Sequence, residues 1–117
     1  THHDTEHLYA FMATYAKLSN DSQTQNKGYS DWYVPALGQL ALISLNKQKV
    51  DEALLKIGGV IFKNTQYWSC TEHSAGEAWG VNLGYGGVWH ERKDKGFNVR
   101  LIRDNNLNKV HLLHIEN

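Results

Sequence analysis

Several side chains in this sequence are of the types that do chemistry, and their spacing decides how much each could do. Cys70 and His73 offer a thiol and an imidazole three positions apart. A cysteine nucleophile needs a base within reach and a lowered pKa. On a strand, an odd spacing sends the two side chains to opposite faces, so Cys70 reads as an inert core thiol. His3 and His7 would share a helix face at spacing four and could hold a metal together. Frayed terminal histidines are the simpler reading. His111 and His114 lie three apart in a strand-like run, so they point apart and cannot chelate together. Glu72 with Arg100 or Arg103 reads as a structural ion pair, not an acid–base apparatus. No catalytic residue, no metal ligand and no cofactor is therefore expected. The cluster that remains is Tyr85, Trp89, His90, Glu91, Arg92 and Phe97. Aromatic rings and arginine anchor interfaces because they bury much area while few rotors are lost.

These residues sit in a stretch, 67–103, that holds three of the chain's four tryptophans and its only cysteine. Apolar residues there alternate with polar or small ones, the period of a strand with two unlike faces. Trp79, Val81 and Leu83 fall on one side, and Gly80, Asn82 and Gly84 on the other. Tyr85-Gly86-Gly87 signals a turn, a second strand begins at Val88, and a third spans 97–103 after the charged run 92–96. By parity Val88 faces inward and Trp89 outward. The expected product is a small antiparallel sheet with large side chains on its solvent face.

Ahead of this stretch the pattern is helical. Leu8, Phe11, Met12, Tyr15 and Leu18 form an apolar stripe over residues 5–19, with Asp4 or Thr5 as N-cap. Residues 20–28 are a polar surface loop. Pro35 suits the first turn of a helix over 36–46, which is apolar on nearly every side and so is expected to be buried or sandwiched. A short helix over about 49–57 ends at Gly58-Gly59, a C-cap signal. After the turn signal Asp104-Asn105-Asn106, residues 109–115 read as a last strand. Helices followed by strands make the fold class α+β.

Size and composition narrow the function classes. A chain of 117 residues is one domain, 1–117, that buries about two thirds of its unfolded surface. Twelve basic and twelve acidic residues cancel, so nothing pulls the molecule toward nucleic acid or anionic membrane. No apolar run approaches the roughly 20 residues that span a bilayer, so this segment is not expected to insert. One cysteine supports neither an intrachain disulfide nor a cysteine-based zinc site.

The run Asp31-Trp32-Tyr33-Val34-Pro35-Ala36-Leu37-Gly38-Gln39-Leu40 resembles a signature of bacterial C-type-lectin-like domains of the DUF1566 and major-paralogous-domain type. The pattern continues through Gly58-Gly59, Tyr67-Trp68-Ser69, Thr71-Glu72, Ala78-Trp79-x-Val81, Gly86, Val88 and Val99-Arg100-x-x-Arg103, so it covers roughly residues 28–103. It is also similar to the variable proteins of diversity-generating retroelements, where such a scaffold displays a hypermutated ligand-binding face. That resemblance implies that Ala78, Trp79, Val81, Leu83, Gly86, Val88, Val99 and Arg100 are scaffold. It implies display for His73, Glu77, Gly80, Asn82, Gly84, Tyr85, Trp89, His90, Glu91, Arg92, Asp94 and Phe97. The family fold begins with a strand before its first helix, which implies that this chain is the C-terminal portion of a longer protein. Residues 109–115 could then cover the sheet edge left by the absent strand.

The expected fold is thus C-type-lectin-like, with two main helices and a short one packed on a small twisted antiparallel sheet. The expected function is non-catalytic recognition of a protein or surface glycan, with Trp89 or Tyr85 suited to a sugar face. The ligand-contacting set is His73, Glu77, Asn82, Tyr85, Trp89, His90, Glu91, Arg92, Asp94 and Phe97. Calcium-dependent sugar binding of the animal-lectin kind needs a proline beside its acidic or amide ligands, and the only proline here, Pro35, follows Val34. A secreted, cell-surface or virion-associated location fits such a role. The rival readings are an enzyme of the formylglycine-generating type, which would need a reactive cysteine pair where only Cys70 exists, and a structural module of a surface or fimbrial protein.

Overall fold

The computed structural model describes residues 4–104 and 113–115. Three helices, α1 (Asp4–Asp21), α2 (Leu37–Leu45) and α3 (Lys47–Lys56), precede the strands β1 (Gln66–Ser74), β2 (Glu77–Asn82), β3 (Val88–Arg92), β4 (Ile102–Asp104) and β5 (Leu113–Ile115). The α+β order expected from the sequence is what forms. β1, β2 and β3 make one antiparallel sheet in chain order, and β4 pairs with β5 in a separate two-stranded ladder.

Successive residues of a strand point to opposite faces, and here each face meets its own core. Tyr67 and Val81 face α2 and α3, where they join Leu40, Ile43, Leu54, Phe62, Leu83 and Ile102. Trp68 and Ala78 face α1, where they join Leu8, Met12, Trp32, Val34 and Leu101. The sheet is therefore packed on both sides along part of its length, and only the stretch of one face beyond α2 is free.

α1 buries Leu8 and Met12, one turn apart, and then Ser19, while Phe11 and Leu18 are exposed. Its stripe lies to one side of the one expected. The N-cap position falls outside the described residues. α2 corrects another expectation: Leu40 and Ile43 are buried, but Leu45 is 83% exposed, so this apolar helix is covered along one side only. Pro35 precedes the helix instead of opening its first turn. Its carbonyl accepts from Cys70 N at 2.9 Å, while Leu37 N donates to Thr71 Oγ1 at 2.8 Å. β1 thus supplies the cap that Ala36 lacks. α3 ends as Gly58-Gly59 foretold. Gly58 has φ +76°, and Gly58 N and Gly59 N donate to Leu55 O and Leu54 O, the paired bonds of a Schellman motif.

The segment carrying the sequence signature ties α1 and β4 to the middle of the chain. Asn20 clamps Trp32 through both backbone groups, at 2.8 and 3.0 Å. Tyr33 exchanges two backbone bonds with Ile102, each 2.8 Å. Asp31 accepts from Arg103 Nε and Nη2 at 2.6 and 3.1 Å. Among residues 97–103, only 102 and 103 are in strand. Asn98 makes a single bridge to Tyr67 instead. The edge-covering role imagined for residues 109–115 does not arise: residues 113–115 pair with β4 and not with the three-stranded sheet, and 109–112 lie outside the described residues.

Lys93 is one of two buried cations among the described residues, 5% exposed, the other being Arg100 at 8%. Its ammonium donates to Glu72 Oε2 at 2.6 Å and to Ala75 O at 3.0 Å, and lies 4.4 Å from the centre of the Tyr9 ring. Glu72's partner is therefore Lys93, not the arginines. Arg100 donates to Val60 O and sits over Phe62, and Arg103 pairs with Asp31. Beside Lys93 the Tyr9 hydroxyl is buried without a hydrogen-bond partner. Burial first, then Glu72 and Cys70, push its pKa up to about 12. The fold thus favours the neutral phenol. That preference is fully present below about pH 10, the ordinary phenol pKa, and is lost as pH rises through about 12. We expect Tyr9→Phe to match or exceed the wild type by up to about 1 kcal/mol at neutral pH, since it removes an unpaired hydroxyl. It should also flatten the loss of stability above pH 10. Urea unfolding at pH 7 and in the alkaline range checks both; a variant that loses stability equally at both would contradict the assignment.

Candidate functional site

The hairpin register sets what the sheet presents. Val81 pairs with Val88, Gly80 with Trp89, Trp79 with His90 and Glu77 with Arg92. Side chains directly opposite share a face, so Trp79, His90 and Glu77 lie on the side where Val81 meets α2. Beyond the reach of that helix the face is open. There His73, brought round by irregularities in β1 between Trp68 and Glu72 and between Glu72 and Ser74, joins them.

The result is a compact polar–aromatic cluster. The imidazoles of His73 and His90 stack, with centroids 3.8 Å apart and planes 6° from parallel. Both meet the half-buried Trp79 edge-on, at 5.0 and 4.9 Å. Glu77 Oε1 lies 2.5 Å from His90 Nδ1 and 3.5 Å from His73 Nδ1. Next to them, Arg92 is committed to Asp94 through two bonds, 3.2 and 2.9 Å.

Of the expected contact residues, His73, Tyr85, His90, Arg92 and Asp94 are exposed, and Glu77, Asn82 and Glu91 are half-buried. Tyr85, 88% exposed, stands at the tip of the β2–β3 turn. Asn82 holds that turn: its Oδ1 accepts from Gly84 N and Tyr85 N at 2.7 and 3.2 Å, and its carbonyl accepts from Gly86 N at 2.7 Å. Gly86, at φ +78°, takes the left-handed corner. Glu91 accepts from the neighbouring Arg92 N at 2.9 Å.

Trp89 is a correction. Alternation correctly places it opposite to Val88, but the inside and outside are reversed. Val88 is 51% exposed, whereas Trp89 turns toward α1 and packs on Trp68 and Phe97 at 5.1 and 4.8 Å. Its Nε1 is buried and unpartnered. The hollow exists because the cross-strand residue is Gly80, which is buried and not displayed. Phe97 likewise packs on Trp68, at 5.2 Å, and with Leu8, Phe11, Lys95 and Val99 lines a groove of about 380 Å³. Conversely Trp79, expected as scaffold, belongs to the open cluster. The signal was available: closing the turn on Val81–Val88 puts Trp79 opposite His90.

Cys70 is exposed, not a core thiol. Partial burial of its sulfur pushes the thiol pKa up, only partly offset by a backbone hydrogen bond. Thiolate is then scarce at neutral pH, the reverse of an activated nucleophile.

The class defined by these features is an α+β domain with a rigid hairpin, a half-open aromatic–histidine face and a signature segment that locks the fold. The chain belongs to the Lcl C-terminal domain family, a DUF1566-like family whose model matches residues 3–103. Comparison with curated proteins and with solved structures returns no match. No helix among the described residues is long and apolar enough to cross a membrane.

Proposed function

We propose that this domain recognises a protein or a surface glycan without catalysis, using the β2–β3 turn and the adjoining open face of the sheet. The observation that carries the reading is Tyr85. A large aromatic ring, 88% exposed, contributes almost nothing to folding, yet Asn82 and Gly86 fix the backbone that holds it out. Such a ring enters a partner's pocket or stacks on a sugar face at low entropic cost. His73, His90 and Trp79 extend the surface along the same hairpin, and Arg92 with Asp94 forms a polar border. The C-type-lectin-like scaffold and the variable-protein resemblance drawn from the signature support the same use. Under them the exposed members of the set, His73, Tyr85, His90, Arg92 and Asp94, are the positions where relatives from one source would differ. A secreted, cell-surface or virion-associated setting follows from that use.

The formylglycine-generating alternative draws no support from Cys70, with its raised thiol pKa. Tyr85→Ala should leave unfolding free energy within about 0.5 kcal/mol of wild type, as for a surface side chain. It should weaken capture on a glycan array, or by a cell-surface protein library, by roughly tenfold or more. Binding that survives Tyr85→Ala and His90→Ala together would show that the partner uses another surface.

A further inference from the structure

We propose that His73, Glu77 and His90 form a binding site for a divalent transition-metal ion of the Zn²⁺ class. Each comes from a different strand of the hairpin sheet, and their donor atoms all lie within 4.8 Å of one another. Two imidazole nitrogens and one carboxylate oxygen are the donor set that suits zinc, copper, nickel or iron, rather than calcium or magnesium, which prefer oxygen alone.

The donors are close enough to close on one ion once the stacked imidazoles turn so that their in-plane nitrogens converge. With metal–nitrogen and metal–oxygen bonds of about 2.0–2.1 Å, tetrahedral donors sit about 3.3 Å apart. His73 Nδ1 and Glu77 Oε1 are 3.5 Å apart already. His90 Nδ1 and Glu77 Oε1 are hydrogen-bonded at 2.5 Å, and an ion taking the place of that bond needs them to separate by less than about 1 Å. The side chains are 34%, 35% and 44% exposed for His73, Glu77 and His90, so each borders solvent on the side away from Trp79. The backbones are better held, since Glu77 and His90 lie in a continuous ladder.

Two neighbours bear on the charge and the geometry. Arg92, the cross-strand partner of Glu77, carries a charge that would repel a cation, and its guanidinium is committed to Asp94. Trp79 meets both imidazoles edge-on and limits how far either ring can swing. Three protein donors on an exposed face leave at least one coordination position open to water or to an oxygen of an incoming ligand. The site stands independently of the role given to Tyr85.

The test is titration of the intact chain with Zn²⁺ by calorimetry and with Co²⁺ by visible absorption, alongside Cu²⁺ quenching of tryptophan emission. One saturable equivalent is expected, weakened at least about tenfold by His73→Ala, by His90→Ala and by Glu77→Gln. His3→Ala with His7→Ala should leave that equivalent in place. Trp79→Phe should retain Zn²⁺ binding while losing the larger part of the Cu²⁺ quenching. The proposal is overturned if no saturable binding occurs at millimolar metal, if binding persists in the His73→Ala, His90→Ala double variant, or if the terminal histidine variants abolish it.

Discussion

Replacing Gly80 by alanine is expected to destabilise the protein by about 3 kcal/mol, the upper end of what overpacking usually costs. The reason is the close approach of two groups to one point. A methyl at Gly80 would lie 2.6 Å from the carbonyl oxygen of Tyr67 and overlap the indole of Trp89. The oxygen belongs to the hydrogen-bonded neighbouring strand and cannot retreat without opening the ladder. The indole is pressed between Trp68 and Phe97 and has little more freedom. In a Trp89→Leu background the same substitution should cost visibly less, because one of the two overlaps is gone while the other stays. Urea unfolding of the four proteins in this cycle measures the coupling directly. A Gly80→Ala variant within about 0.5 kcal/mol of wild type would mean that the sheet is looser there than the structure shows.

Trp68→Ala should cost about 3–5 kcal/mol, the range for emptying a buried tryptophan site. Trp68 is 1% exposed, makes two aromatic contacts, with Trp89 and Phe97, and belongs to the α1-side core. Its Nε1 also donates to Lys95 O at 3.1 Å and so anchors the loop between β3 and β4. Domains of this size have a total stability of about 5–15 kcal/mol, so the variant sits near the limit of folding. Trp68→Phe should recover most of the loss and retain a deficit of about 1 kcal/mol from the missing hydrogen bond. If alanine costs less than about 1 kcal/mol by chemical unfolding, the α1-side cluster is not a core in the energetic sense.

How far the sequence discloses this molecule depends on whether a signal is local. The end of α3 is local: Gly58-Gly59 announces its own Schellman bonds. So is the β2–β3 hairpin, whose glycine-rich turn and flanking valines place Trp79 opposite His90. What lies beyond reach is which face of a strand is covered. Period-two alternation separates Val88 from Trp89 but carries no label for inside. The label comes from α1, roughly seventy residues earlier in the chain, which packs on the face that seemed free. The sequence marks His73 as displayed, but its contact with His90 is concealed for a different reason. The irregular steps in β1 change its phase, so counting from Cys70 misplaces it and conceals its encounter with His90. Histidine pairs close in sequence drew attention to metal chemistry at the termini, while the set that converges is spread over three strands. Lys93 shows the same limit: in a run of charged residues nothing marks the one whose stem and ammonium are enclosed by Tyr9, Glu72 and Ala75.

Tyr67 and Trp68 are neighbours in the chain, and each is a centrepiece of a different core. A single peptide bond therefore couples the two clusters mechanically. Loosening β1 on one side withdraws the backbone that positions the other, so neither half has an independent melting point to fall back on. The molecule gains cooperativity from this arrangement, and the hairpin that carries Tyr85, His73 and His90 inherits it. The face these residues form is therefore tied to the folding of the whole domain.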